Sequence, residues 1–391
     1  MRAGHGWGRG GGVVSVPGWA GQLADDGELA ARVVRLAATP GVSPERVRAV
    51  IAALLEAGCE IDVEVVVEAL EADACRRGKL AAPAVVERAG RALAAAGAVM
   101  LLAGRPGYPR RLADAWPELG APLWLFVRSA GRCGLPEGPA VAVVGTRQPT
   151  LDGRRTAADL GQLLARHGVV VVSGLARGID QTAHRAALDA GGLTVAVLGA
   201  GFGVDYPYRD GPLRERIAAC GGLATELLPG VAPRPHHFPW RNRIVSGLAD
   251  ATVVVEGRSR SGALQTARLA AAQGRDVLAV PGSLNQPTSR GPLDLIRDGA
   301  QPLCRLEDVL EVAGLRLARG ATGAVESDTQ PPGGLSGSAS AVLQVLGTAP
   351  APPGELAAAL DRPIGEILAA VAELTTRGLA VSTPRGLIIT G

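Results

Sequence analysis

Six short runs rich in Val, Leu, Ala and Gly recur through the middle of the chain: VAVVG (141–145), VVVVSG (169–174), TVAVLGAG (194–201), GLATEL (222–227), ATVVVEG (251–257) and DVLAVPG (276–282). They do not alternate polar with apolar residues, and a turn and a helical stretch of about ten or more residues separate one run from the next. Continuous apolar strands interleaved with helices describe a parallel sheet covered on both faces. The pattern predicts an α/β fold, a Rossmann-like doubly wound and mostly parallel sheet, over about residues 140–312.

The flanks carry different periods. Residues 29–57, LAARVVRLAATPGVSPERVRAVIAALLEA, place apolar residues at helical spacing on both sides of Thr39-Pro40-Gly41-Val42-Ser43, a helix-turn-helix-like unit. Further helix is expected through 64–96, and the apolar run Leu123 to Val127, within the proline-bearing segment 107–131, is expected to form a strand leading into the sheet. GATGAVESDTQPPGGLSGS, 320–338, breaks every period and has the composition of a linker. Beyond it, SASAVLQVL, PGELAAAL and IGEILAAVAELTTRG are helical, and LAVSTPRGLIIT is two short β runs around Pro384-Arg385-Gly386. Three helices and a hairpin make a winged-helix-like domain. The expected division is a flexible tail 1–22, a helical domain 23–105, a Rossmann-like domain with its lead-in 106–319, a linker 320–338 and a winged-helix-like domain 339–391.

Composition narrows the function. Of 391 residues, 47% are apolar and 20% charged, which is ordinary for a globular protein, and no apolar run approaches the ~18 residues a membrane span needs. The amino terminus has no apolar segment of signal-peptide length, so a cytoplasmic location is expected. The five cysteines, Cys59, Cys75, Cys133, Cys220 and Cys304, show no C-x-x-C spacing and suit reduced, buried thiols better than disulfides or a zinc site. Lys79 is the sole lysine, which excludes the G-K-[ST] of a P-loop and leaves arginine, the better phosphate fork, to carry the positive charge. Over 140–300 there are 18 arginines and 13 acids, a difference of +5, against +3 for the whole chain.

In an open α/β sheet the ligand site lies beyond the carboxyl ends of the strands. Here those ends carry Gly145-Thr146-Arg147, Ser173-Gly174, Gly199-Ala200-Gly201, Glu256-Gly257 and Pro281-Gly282. Glycine lets backbone N–H groups approach an anion, and the following helix adds positive potential. Arg177, Arg241, Asn242, Arg243, Ser261 and Gly262 supply further donors and open backbone. The sequence after the first strand, GTRQPT, departs from the dinucleotide G-x-G-x-x-G. No G-x-S-x-G elbow is present, and His184 and Asp180 have structural readings as a packed histidine and a helix-start acid. Glu226 and Glu256 are candidates for an acid/base pair, though orienting Arg or Asn explains them more simply. His236 and His237 lack H-E-x-x-H, so no metal role is assigned. Phe238, Trp240, Tyr206 and Phe202 are the candidate base-stacking rings. Trp240 to Leu248 is expected to be a helix with its amino terminus toward the crevice, and Ile244, Val245 and Leu248 packed beneath.

The strand-end motifs resemble those of the DprA (Smf) family of DNA-processing proteins. VAVVGTR (141–147), SGLARGID (173–180), VLGAGFGVDYP (197–207), TELLPG (225–230), FPWRNRIVSGL (238–248), VVVEGRSRSGALQTA (253–267), GRDVLAVPG (274–282) and GPLDLIRDGA (291–300) follow one another in the family's order. TPGVSPERV also resembles that family's amino-terminal helical domain, of the SAM or helix-hairpin-helix kind. The resemblance implies a non-enzymatic protein without a cofactor. Its expected role is to bind and protect incoming single-stranded DNA and to load the RecA recombinase during natural transformation, acting as a homodimer. The implied DNA pocket falls on Gly145, Thr146, Arg147, Ser173, Gly174 and Arg177. Phosphate contacts from Arg241, Asn242 and Arg243, and the roles of Gly199, Gly201, Ser261, Gly262, Pro281 and Gly282, are read from their chemistry and position. Three positions depart from the family pattern: Thr146 replaces Ser, Gly203 replaces Asp and Leu293 replaces Asn. Two other readings compete: an enzyme that binds or cleaves a nucleotide or nucleoside monophosphate in the same crevice, and a duplex-DNA regulator acting through 339–391. The second is weakened by the tail's few positive charges, Arg362, Arg377 and Arg385.

Overall fold

The computed structural model describes residues 18, 20–115, 120–129, 135–312, 336–345, 352–360, 362–377, 380–383 and 386–389. The expected flexible tail lies almost wholly outside them; so do most of the expected linker, Cys133, Pro384 and Arg385. The chain divides into two units, Met1–Leu317 and Ala318–Gly391.

In the first unit, helices α1 (Ala20–Leu23), α2 (Gly27–Ala37), α3 (Pro44–Glu56), α4 (Val63–Arg76) and α5 (Pro83–Ala95) precede strand β1 (Val99–Leu102). Their starts follow local capping chemistry. Asp26, Ser43 and Asp62 each accept a hydrogen bond from a backbone N–H of the first helical turn, and Pro44 and Pro83 stand at first-turn positions that need no N–H donor. After the short α6 (Arg110–Ala113) come β2 (Trp124–Arg128), β3 (Ala140–Val144), α7 (Leu151–Arg166), β4 (Val170–Ser173), α8 (Ile179–Asp189), β5 (Thr194–Val197), α9 (Gly211–Cys220) and β6 (Gly222–Thr225). The unit continues with α10 (His237–Gly247), β7 (Ala251–Val254), α11 (Gly262–Ala272), β8 (Asp276–Ala279), α12 (Arg290–Arg297), β9 (Gln301–Pro302) and α13 (Asp308–Val312).

All six sequence-predicted runs are strands, β3 to β8, and with β1, β2 and β9 they form one nine-stranded sheet in the order β1-β2-β6-β5-β4-β3-β7-β8-β9. Strands β3 to β9 pair in parallel. β2 runs antiparallel to both β6 and β1, so the sheet is mixed at one edge. Hydrophobic patterning did not point to β1, a four-residue strand embedded in helical sequence, nor to the two-residue β9. The central strands β3 to β7 are buried along their whole length, as continuous apolar runs require. One set of sheet residues packs on α7, α8 and α13 through Val141, Val143, Leu160, Leu164 and Ile179. The other joins Phe126, Val172, Val245 and Leu264 to Val33, Leu70 and Leu93 of the amino-terminal helices in a single apolar cluster.

The second unit is α14 (Gly337–Val345), α15 (Pro353–Leu360), α16 (Ile364–Thr376) and an antiparallel pair, β10 (Ala380–Thr383) with β11 (Gly386–Ile389). It has its own small core of Ala339, Val342, Leu356, Ile367, Ala370, Leu374 and Ala380. The cysteine expectation fails in one respect. Cys59, Cys75, Cys220 and Cys304 are free but exposed, because each falls at or beyond the end of an element rather than on its inward face.

Helices α7 and α8 cross closely over one sheet face at Gly161, where a Cβ would lie 2.7 Å from the Ala183 carbonyl oxygen and 3.0 Å from the Ala186 methyl. A side chain there must push backbone apart. Gly161→Val is expected to lower stability by about 1–3 kcal/mol, read as a lower urea midpoint. Gly211→Ala, where a Cβ meets nothing within 4 Å, should change it by less than about 0.5 kcal/mol.

Candidate nucleic-acid interface

From β3 the sheet grows through β4, β5 and β6 on one side and through β7, β8 and β9 on the other. The carboxyl ends of β3 and β7 therefore flank the point where strand order reverses, and a crevice opens there.

The loop after β3 forms one wall. At Gly145 a Cβ would lie 2.5 Å from Ile179 Cγ1, so only glycine lets β3 pass the start of α8. Thr146 N donates to the Glu256 carbonyl (2.7 Å). The Glu256 carboxylate accepts from Thr150 N (3.0 Å) and Thr150 Oγ1 (2.6 Å), and Thr150 Oγ1 in turn accepts from Gly153 N (3.0 Å) to cap α7. The end of β7 thus fixes both ends of the loop. Arg147 is exposed, its guanidinium carbon 5.6 Å from the centre of the Phe238 ring.

The loop after β4 forms the second wall. Gly178, at φ +88°, presses so close that a Cβ would sit 2.4 Å from Thr146 O. Leu175 adopts φ +58°, a left-handed conformation that costs a non-glycine residue about 1 kcal/mol or more. Asp180 lies beneath, its Oδ2 accepting from Gly174 N (3.2 Å) and Ala176 N (3.3 Å). Burial raises the Asp180 pKa, opposed by the charge of Arg241 and by those backbone bonds.

Helix α10 supplies the floor. Arg241 is 7% exposed, and its Nη1 donates to Val197 O (2.7 Å). The guanidinium fills the space a Gly174 Cβ would need, 1.9 Å from Nη1. Burial lowers its pKa, while Asp180 raises it and Arg147 lowers it. Asn242 Nδ2 donates to Gly262 O (3.4 Å) at the start of α11. There Ser261 Oγ is buried without a hydrogen-bond partner among the described residues.

Two adjoining chambers result. The first, about 310 Å³, is lined by Gly145, Thr146, Arg147, Gly174, Asp180, Arg241, Asn242, Ser261 and Gly262. The second, about 460 Å³, is lined by Arg147, Gln148, Gly174, Arg177, Gly199, Tyr206, Tyr208, Phe238 and Arg241. The Tyr206 and Phe238 rings pack at 5.4 Å between centroids, tilted by 47°. Tyr208 is 61% exposed, with the Arg209 guanidinium 5.2 Å over its ring.

Ten of the fifteen sequence-predicted site residues meet in these chambers: Gly145, Thr146, Arg147, Gly174, Arg177, Gly199, Arg241, Asn242, Ser261 and Gly262 line them; Ser173 does not. The Ser173 hydroxyl is fully buried and donates to Val143 O (2.6 Å), so it braces the sheet. Four others stand apart. Gly201 spends its N–H on Val231 O (2.9 Å) and abuts Leu228 O. Pro281 and Gly282 line a neighbouring hollow beside Glu256 and Ser289. Arg243 turns to the opposite side of α10 and pairs with Glu226 (2.7 Å). Strands β5, β4 and β3 stand between β6 and β7, so Glu226 and Glu256, at the ends of those two strands, do not face each other. Among the rings, Phe202 is buried and Trp240 packs on His236. Gly203 and Leu293 do not line either chamber. Tyr208, Gln148 and the buried charge of Asp180 enlarge the site beyond what the sequence pattern indicates. The tyrosine lies one residue past the VLGAGFGVDYP motif, and its exposure could be known only from the fold. Among the described residues no group of three His, Cys, Asp or Glu could hold a metal, and no helix is long and apolar enough to cross a membrane.

The fold and crevice define a class: a doubly wound α/β domain with an arginine-lined, aromatic-edged cleft at its switch point. The chain belongs to the DNA recombination-mediator protein A family, whose family model matches residues 99–314. A Mycobacterium tuberculosis relative carrying the DprA name is 48% identical over 202 residues, 52% of each chain, so the match spans about half the length of that relative. The DNA processing protein DprA of Streptococcus pneumoniae is 41% identical over 203 residues, 52% of this chain and 70% of its own. The X-ray structure of the S. pneumoniae protein is similar at a TM-score of 0.59, with 30% identity, covering 72% of this chain and 95% of that one.

Directly behind the second wall, His184 of α8 is fully buried, its Nδ1 2.6 Å from Thr194 Oγ1, which donates to Val171 O (2.7 Å). Burial, then the charges of Arg241 and Arg185, pushes its pKa down to about 3. With an unfolded value near 6.5, His184 contributes stability that is complete above about pH 6.5 and is lost as pH falls toward 3, on the order of 3–5 kcal/mol. Asp180, raised rather than lowered, acts with the opposite sign. Urea unfolding across that window should therefore fall less steeply for His184→Asn than for the parent; parallel profiles would contradict the assignment.

Proposed function

We propose that the crevice binds single-stranded DNA without sequence preference, and that the protein protects such DNA and loads a RecA recombinase onto it during natural transformation, acting as a homodimer and not as an enzyme. The observation that carries the reading is the pairing of Arg147 and Arg177, both exposed on adjacent loops, with the Tyr206, Tyr208 and Phe238 edge of the second chamber. Guanidinium groups neutralise phosphates, flat rings stack on bases, and neither distinguishes one base from another. The start of α11, whose Gly262 lines the first chamber, adds backbone donors and positive potential at the same place. Family membership and the similarity to DprA proteins support the same reading.

A catalytic reading of the crevice lacks its machinery. Asp180 is the one carboxylate lining the first chamber, and it is engaged by two backbone N–H groups. Glu256 is committed to Thr150. A binding role uses these same contacts as supports. The second unit, three helices and a hairpin, fits a winged-helix-like accessory module for protein contacts, and the helices before β1 fit a SAM or helix-hairpin-helix-like domain.

Fluorescence anisotropy with mixed-sequence oligonucleotides tests the central claim. Single strands should bind more tightly than duplex, and Arg147→Ala should weaken binding and make the log–log salt slope shallower by about 0.7, the value for one single-strand phosphate contact. Tyr208→Ala, at an exposed ring, should cost about 1–3 kcal/mol of affinity with the salt slope unchanged. Folded Arg147→Ala protein with parental affinity and slope would remove the proposed phosphate path. Addition of the recombinase to the parent complex should speed its filament formation on the same strands; no acceleration would remove the loading role.

A further inference from the structure

On the side of α10 away from the crevice, the first unit holds a partly open, mostly apolar cavity of about 140 Å³. Val47 and Ile51 of α3, Leu123, Trp124 of β2 and Ile244 of α10 form its body. Its polar lining is Ser43, Arg48, Glu226, His237, Arg241 and Arg243, the last of them deeply buried. The residue is 7% exposed, its Cδ lies 3.6 Å from where a Gly120 Cβ would stand, and Nη2 donates to Glu226 Oε1 at 2.7 Å. Its Nη1 is buried with no hydrogen-bond partner among the described residues. A buried guanidinium N–H without an acceptor is unfavourable, and an acceptor in the cavity would relieve it.

Size and charge say which acceptor. A dry apolar cavity of about 150 Å³ admits a benzene ring, so this one has room for a single ring or an equally small branched chain. Arg48 and Arg241 also reach the wall; Arg241 faces the buried Asp180, so against Glu226 and Asp180 the three guanidinium groups leave one positive charge over. Glu226 is already engaged by Arg243, and the remaining excess of positive charge favours an anion. A carboxylate matches the free edge of a guanidinium.

We propose that this cavity is a small-molecule site for a benzene-sized apolar carboxylate, its ring among Val47, Ile51, Trp124 and Ile244 and its carboxylate accepting from Arg243 Nη1. The site shares Arg241 with the crevice but does not rest on the DNA reading.

The test uses full-length protein without DNA. Sodium benzoate should bind with a dissociation constant of about 1 mM or tighter, followed by isothermal titration calorimetry and by the change in tryptophan fluorescence that a ligand beside Trp124 produces. Toluene, of the same shape without the carboxylate, should bind at least about tenfold more weakly, since it leaves Nη1 unpaired. Val47→Phe, which fills the cavity, should weaken benzoate binding by at least about tenfold. No benzoate binding at about 10 mM, a concentration tenfold above the expected constant, would mean that water alone serves Nη1 and would overturn the proposal. So would toluene binding as tightly as benzoate. The ligand comparison is made on the parent protein, so it decides the matter even where Val47→Phe folds poorly.

Discussion

A guanidinium buried under two loops organises this protein. Arg241 stands where a residue larger than glycine at position 174 would have to stand, reaches across to the backbone of β5, and faces the buried carboxylate of Asp180. Isolated, either buried charge would be expensive; together with the backbone donors of Gly174 and Ala176 they hold each other in place. Through that contact α10, the loop after β4, the start of α8 and the end of β5 become one body. The exposed arginines and rings above it inherit their positions from this arrangement.

The same economy explains why the crevice loops carry glycine where they do. Gly145 and Gly178 are where the two loops meet each other and Ile179, at separations that exclude a side chain. Glu256 then ties the first loop to β7 from beneath. The backbone is therefore arranged before any ligand arrives, which limits the ordering cost of binding. The left-handed turn at Leu175 lies in the second of these loops.

Much of this was legible in the sequence because buried parallel strands leave a continuous apolar signature and tight strand-to-helix turns leave glycine. Those two signals located β3 to β8 and most of the crevice. They could not locate β1 or β9, which are too short to carry a period, nor the sheet's antiparallel edge, where β2 pairs with β1 and with the distant β6. Nor could they separate Arg241 from Arg243. Two positions apart on a helix, the two side chains point to different sides, and only the three-dimensional placement of Asp180 and Glu226 tells which arginine serves which space. Glu226 and Glu256 show the same limit: both end strands, yet each is committed to a different structural partner.

Hydrogen exchange of the full chain with and without a mixed-sequence single strand tests the account most directly. Binding in the crevice predicts slowed exchange at the amides of residues 146–148 and 174–178 and in the first turn of α11. Protection confined to residues 336–389, with those loops unchanged, would place the DNA elsewhere and contradict the account.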